Sequence, residues 1–281
     1  MDLNNPTTTL MIIISAWIIF YVLAKIFKLE DRGWVIQPYF ALYKSTKLNN
    51  LIQRLAHISP KTWKIIGNIG VASSVGQVLF LSWLLINNLW NLVYVPEQAT
   101  PVQPLIPGVT ISYNSLPWFL VAAGVVIFTH ELAHGIMCVI EGVPVKSSAI
   151  LFAVITFGGA VEPDEEGLNE AGLMAKLRIF AGGSIINLIT GLLMVVILVF
   201  LGRALPFHLA MFVWWTQFVA LNLSMMNMLP IGPFDGGQMW REYTNKFSNG
   251  KLFQRIATYG FLALILGNIG LSLIQMGWRP I

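Results

Sequence analysis

The chain has 281 residues, of which 56% are hydrophobic and 11% charged, against a charged share of roughly 25% in soluble domains. With a mean hydropathy of +0.70, this composition excludes an ordinary soluble globular protein and points to one solvated by lipid. The net charge of +4 and the pI of about 9.2 call for no nucleic-acid partner, because basic loops facing anionic membrane lipid account for them. The lone cysteine, Cys138, excludes an internal disulfide framework and any metal site of four thiolates.

Runs of about 20 apolar residues predict six membrane-spanning helices, at 8–28, 65–93, 117–140, 178–202, 209–229 and 256–277. The expected fold is a membrane all-α bundle. Asp2 precedes the first run, and Lys25 and Lys28 sit at its far end, the reverse of a secretory signal, so it reads as a retained anchor. The basic stretch 29–64 carries Trp34, Tyr39, Phe40 and Tyr43 among lysines and reads as one or two amphipathic helices on the inner membrane surface. A Pro-rich connector at 96–107 separates the second and third spans. With both termini outside, fifteen of the seventeen Lys and Arg residues fall in cytoplasmic loops and only Arg203 and Arg279 lie outside, as the positive-inside rule requires.

The third span contains Thr129-His130-Glu131-Leu132-Ala133-His134. Residues four apart share a helix face, so His130 and His134 can offer two imidazole nitrogens to one metal while Glu131 beside them handles a proton. An ionisable side chain in mid-span costs about 2.5–3.5 kcal/mol even on the lenient insertion scale. Three within five positions therefore mark a functional site.

After this span, the stretch 149–161 is apolar, too short to cross, rich in β-branched and aromatic residues, and interrupted by Gly158-Gly159. It predicts a small β-hairpin or re-entrant element tucked against the bundle. The acidic run Glu162-Pro163-Asp164-Glu165-Glu166 follows, its charge suited to the start of the next helix. Asn187 within the fourth span reads either as a substrate contact or as a polar contact between helices. The fifth span ends in Asn227-Met228-Leu229-Pro230-Ile231-Gly232-Pro233-Phe234-Asp235-Gly236-Gly237. Neither an internal repeat nor a tract long enough for a separate soluble domain is visible, so residues 1–281 read as one domain.

Catalytic zinc takes three protein ligands and a water, so the two histidines need a third partner. Glu141, the acidic residues at 162–170, Asp235 and the sulfur of Cys138 are the candidates. At about 1.5 Å per residue, His130 lies about 20 Å inward from Pro117, in the cytoplasmic half of the bilayer. The fifth span runs in the same direction, and Pro230 and Pro233 break it so that Asp235 follows at a similar depth. Asp235 can thus meet the histidines, with a glutamate from 162–170 or Cys138 as the competing ligand.

These residues resemble the site-2 protease family of intramembrane zinc metalloproteases. The likeness rests on His130-Glu131-x-x-His134 in a span, on Asn227-x-x-Pro230 with Asp235-Gly236 closing a later span, and on their order. Between them, residues 158–166 and the stretch from Ala181-Gly182-Gly183 to Asn187 are similar to the archaeal branch, and the likeness covers about residues 105–245. It implies His130, His134 and Asp235 as zinc ligands, Glu131 as the catalytic carboxylate and Asn227 directed at the substrate carbonyl. It further implies hydrolysis of a peptide bond in or near the transmembrane segment of a single-span membrane protein. A helical substrate must unwind to be cut, and an apolar edge strand near 150–160 could hold the extended chain by strand addition. Two departures stand out: many members carry a PDZ domain, for which this chain has no room, and the family often has proline where Gly183 stands. Two rival readings keep the metal. A multi-span protease acting on prenylated tails would use a helix-borne glutamate as third ligand, and a zinc transporter or inactive protease-like scaffold would bind zinc without hydrolysis.

Overall fold

The computed structural model describes residues 6–154 and 156–280. Helix α1 (Pro6–Ile26) leads through a short turn into the hairpin β1 (Trp34–Ile36) and β2 (Phe40–Ser45). Then come α2 (Asn49–Ile58), α3 (Pro60–Tyr94), α4 (Leu116–Ile140), a second hairpin of β3 (Val145–Ala153) and β4 (Thr156–Pro163), and the short α5 (Glu165–Glu170). Helices α6 (Leu173–Leu201), α7 (Phe207–Asn227), α8 (Asp235–Thr244) and α9 (Gly250–Met276) complete the fold. Among the described residues, α1, α3, α4, α6, α7 and α9 are long and apolar enough to cross a membrane. The protein is a multi-pass membrane protein, as its composition requires.

Helices α4, α6 and α7 pack on one another, α3 and α8 lie against α6, and α9 lies against α3. Lipid tails offer no hydrophobic drive for helices to associate, so close backbone approach over small residues has to hold such a bundle together. Gly70 of α3 sits against Ala181 and Ile185 of α6, and Gly182 of α6 faces Met137 and the Ala133 carbonyl of α4. Between α4 and α7, Phe119, Ala122 and Val126 meet Trp215, Val219 and Ala220, with the Phe119 and Trp215 rings edge to face at 5.3 Å. Large apolar side chains such as Leu79, Trp83, Phe200 and Ile274 point outward, into what would be lipid.

Pro117 opens α4 in its first turn, where the missing N–H costs nothing. The helix stops at Gly142, whose φ of +78° is a backbone conformation that glycine adopts freely. There the Val143 N–H donates to the Cys138 carbonyl at 2.8 Å and the Gly142 N–H to the Val139 carbonyl at 3.1 Å, closing the last turn and aiming the chain into β3.

The hairpin expected at 149–161 is present as β3 and β4, and it belongs to a larger antiparallel sheet of order β1-β2-β3-β4. Here the expectation for 29–64 needs correction: Trp34, Tyr39, Phe40 and Tyr43 do not lie on an amphipathic helix. Trp34 and Tyr43 face each other across the β1–β2 register, and β2 pairs with β3 from Phe40↔Ala153 to Ser45↔Ser148. Trp34 also stacks on Phe152, with ring centroids 6.3 Å apart. Aromatic and β-branched pairs of this kind stabilise sheets, and here the pairing comes from a strand more than a hundred residues away. Helix does form at α2, whose buried Ile52 and Ala56 rest on Ile136 of α4. At 173–177 and 60–64 the helices begin before their apolar runs, and these early residues include Lys61, Lys64 and Lys176.

Candidate metal centre

Helix α4 carries His130, Glu131 and His134 on the side turned to α6 and to β4. Asp235 reaches them from the other end of the fold. After Asn227 closes α7, the buried Met228, Leu229 and Ile231 anchor a tight connector, and α8 starts at Asp235. A side chain at Gly236 would run into the Met228 carbonyl, and one at Gly237 into the Ile231 backbone. The two glycines after Asp235 are therefore what let α8 fold back against its own approach.

His130 Nε2 and His134 Nε2 are 3.0 Å apart, and Asp235 Oδ2 lies 3.3 Å from the first and 3.2 Å from the second. Four-coordinate zinc with bonds of about 2.0–2.1 Å holds neighbouring ligand atoms about 3.4 Å apart. The three atoms therefore already mark one face of such a shell. Two further observations fit a cation between them. Asp235 Oδ2 is buried and, although it lies near both Nε2 atoms, makes no well-formed hydrogen bond, a costly state for a carboxylate oxygen that a cation would relieve. Gly183 on α6 leaves open the space next to the rings, since a Cβ there would stand 2.5 Å from both Nε2 atoms. The donor set of two imidazoles and one carboxylate is of the kind zinc takes in hydrolytic sites.

The remaining ring nitrogens face α6. His134 Nδ1 lies 2.7 Å from the Ile179 carbonyl, and His130 Nδ1 lies 3.0 Å from the Asn187 side-chain amide. Asn227, in the last turn of α7, brings its amide nitrogen to 3.2 Å from His130 Nε2. Glu131 is half-buried beside the cluster and lies under β4, where Gly159 gives it room: a Cβ at that position would come within 2.5 Å of Glu131 Cγ. All five residues singled out in the sequence line one cavity of about 670 Å³, which continues past β4, Glu165 and Gln238 to Arg241. Cys138 borders the same cavity. Among the described residues, the group that can share a cation is His130, His134 and Asp235, without Cys138 or the acidic residues at 162–170. Asn187 turns to His130 rather than into the open cavity.

Ion pairs brace this geometry. Lys176 on α6 meets Glu242 on α8 at 3.1 Å, tying the helix that begins with Asp235 to the helix that backs the histidines. Arg178 bonds Glu141 at 3.0 Å and Asn68 at 2.7 Å, joining α6 to the end of α4 and to α3. At the cavity wall, hydrogen bonds from Lys44 and Ser147 hold the Glu162 carboxyl below its usual range, so it stays charged at neutral pH.

The sequence profile of peptidase family M50 matches residues 118–206 and 202–267, a span that takes in every residue of the cluster. The chain belongs to peptidase family M50. An uncharacterized protein of Methanocaldococcus jannaschii is 27% identical over 192 residues, covering 67% of this chain and 50% of that one. Rip3 of Mycobacterium tuberculosis, named as a zinc metalloprotease, is 28% identical over 177 residues, or 60% of this chain and 41% of its own. A protein of Arabidopsis thaliana named a membrane-bound transcription factor site-2 protease homolog is 26% identical over 141 residues, or 50% of this chain and 28% of its own. This M50 chain spans about half or less of the length of these relatives. No solved structure matches it. The resemblance to the site-2 protease family, drawn from two motifs, thus holds for the family as a whole.

Reading the sequence alone missed what Gly159 and Gly183 do. Each is needed for a close approach by another segment, and neither carries a side chain that could advertise a role. Gly183→Ala is expected to push the two imidazoles off their common point and to weaken zinc binding about 10–100-fold, the scale of disturbances just outside a ligand shell. Zinc content after gel filtration in detergent checks this, with Gly124→Ala as the control because a Cβ there meets nothing within 4 Å.

Proposed function

We propose that this protein is an intramembrane zinc metalloprotease that hydrolyses a peptide bond within or near the transmembrane segment of a single-span membrane protein. The observation that carries the reading is the spacing of 3.0–3.3 Å among His130 Nε2, His134 Nε2 and Asp235 Oδ2, inside a bundle of apolar helices and open to a polar cavity. Those three residues would hold zinc, which when bound supplies a Lewis acid and a water acidified towards a pKa of about 7. Glu131, one residue from a ligand, is the group that takes the proton of the attacking water and returns it to the leaving amine. Asn227 directs its amide N–H at the same point and donates to the oxygen that gains charge, an interaction whose loss in comparable sites costs about 2.7–4 kcal/mol.

A substrate helix hides its carbonyls in its own hydrogen bonds, so it must be drawn out before it can be cut. Strand β4 is the edge of the sheet and its residues 159–163 line the cavity, which supports capture of the extended segment by strand addition. The concentration of Lys and Arg in the loops on that side supports a site in the cytoplasmic half of the bilayer with both termini outside. A transporter would spread its polar ligands along a pathway; here they gather at one level.

The test is metal removal. The purified protein in detergent is expected to cut a single-span reporter, to lose that cleavage when stripped by a chelator, and to regain it with about one equivalent of zinc. A peptide copy of the reporter N-methylated on alternate amides should be cut more slowly than its parent. A zinc-loaded protein that leaves every such reporter intact while moving zinc into vesicles would overturn the proposal in favour of transport.

A further inference from the structure

We propose that Asn187 is a positioning residue: its side-chain oxygen accepts the Nδ1 hydrogen of His130 and so fixes the tautomer in which Nε2 is free to bind the metal. The inference rests on the zinc site described above and deepens it. His130 is 3% exposed and Asn187 fully buried, so neither has water as a substitute partner. On one edge of the His130 ring, Nε2 faces His134 and Asp235. On the other, the Asn187 amide nitrogen lies 3.0 Å from Nδ1, the place its oxygen takes after a half-turn of the amide.

A neutral imidazole that gives its Nε2 lone pair to a metal carries its hydrogen on Nδ1, and in a buried site that hydrogen needs an acceptor. An amide N–H directed at Nδ1 would do the opposite: it would hold the hydrogen on Nε2, where it blocks ligation. The two ends of an asparagine amide exchange by a half-turn that leaves its shape unchanged. Asn187 Oδ1 is also a buried oxygen with no partner. With the oxygen turned to the ring, the Nδ1 hydrogen and the oxygen satisfy each other and Nε2 is freed, while the amide nitrogen takes the buried place the oxygen held.

His134 shows the same arrangement. Its Nδ1 lies 2.7 Å from the Ile179 carbonyl, a group that can only accept. Helix α6 thus supplies an acceptor to each histidine, two turns apart, from the backbone for His134 and from a side chain for His130. That is why Asn187 is the member of the pair open to mutation. A role in helix packing alone would place no requirement on acceptor chemistry.

The experiment compares zinc affinity of the wild type with Asn187→Leu, Asn187→Ala and Asn187→Asp, by competition with a chromophoric chelator in detergent. The cobalt-loaded spectra and the thermal unfolding of the metal-free proteins are recorded alongside. Leucine keeps the volume and alanine opens it, but both remove the acceptor. Both are expected to bind zinc about 10–100-fold more weakly, the scale seen when such an outer partner is lost, with metal-free unfolding little changed for leucine. Aspartate accepts the same hydrogen and is expected to stay within a few-fold of the wild type. Unchanged affinity in the leucine and alanine variants overturns the inference, as does a folded aspartate variant that loses as much as leucine. If aspartate's burial prevents folding, the leucine and alanine pair decides alone. A wild type that binds no zinc would overturn the proposed function and this inference together, whereas a wild type that binds zinc beside an unaffected leucine variant overturns this inference only.

Discussion

Glu131→Gln should keep its zinc and lose its turnover. Glutamine preserves the size of the side chain and its place between α4 and the flat stretch of β4 at Gly159, so neither the fold nor the three ligand atoms have reason to move. What disappears is a group able to take a proton from water and pass it to the leaving nitrogen. General acid–base groups contribute about 10²–10⁴-fold, and this one is proposed to act twice in each cycle. Cleavage of the single-span reporter should therefore drop by at least about a hundredfold while metal content stays at one per chain. Cleavage at the wild-type rate would reject Glu131 as the base, and loss of zinc would show that Glu131 serves the ligand shell.

Asp235→Ala should fail one step earlier. Removing the carboxylate leaves two imidazoles for the cation, and apart from Glu131 the acidic side chains that line the cavity, Glu162 and Glu165, stand outside the cluster. Zinc affinity should fall well beyond the 10–100-fold that follows from disturbing an outer partner, and cleavage should be lost with it. Metal analysis on gel-filtered protein reads the first effect and the reporter assay the second. The result also separates two protease designs: full zinc retention in Asp235→Ala would mean that a helix-borne glutamate is the third ligand, as in the rival class that acts on prenylated tails.

Local pattern carried the bundle and the motif. A transmembrane helix satisfies its own backbone and needs only about twenty apolar residues, so α1, α3, α4, α6, α7 and α9 were readable from composition along the chain. His130 and His134 are one helical turn apart, and their shared face follows from that spacing. The fusion of β1 and β2 with β3 was not readable, because residues 40–45 pair with residues 148–153 and residues 34–36 pair in turn with 41–43. Taken alone, the aromatic and lysine residues there suit a surface helix equally well. The same limit applies within the site. Gly183 matters for the side chain it lacks, and Asn187 for the ring atom it meets on another helix. Asp235 lay between these cases: helix direction and two prolines gave its depth, but its meeting with the histidines depends on how Gly236 and Gly237 let α8 double back.

The three proposed ligands come from two segments far apart in the chain: two from α4 and one from the first residue of α8. A bound cation is therefore a crosslink as well as a reagent. Because it binds the folded arrangement and not the open chain, zinc at a hundred times its dissociation constant would add about 2.7 kcal/mol to stability. In a cell short of zinc, the protein would lose that increment along with its chemistry, and proteins left so near their threshold are cleared faster by quality-control proteolysis. On the proposed function, metal supply would then govern how many copies of this protein persist in the membrane as well as how fast each one works.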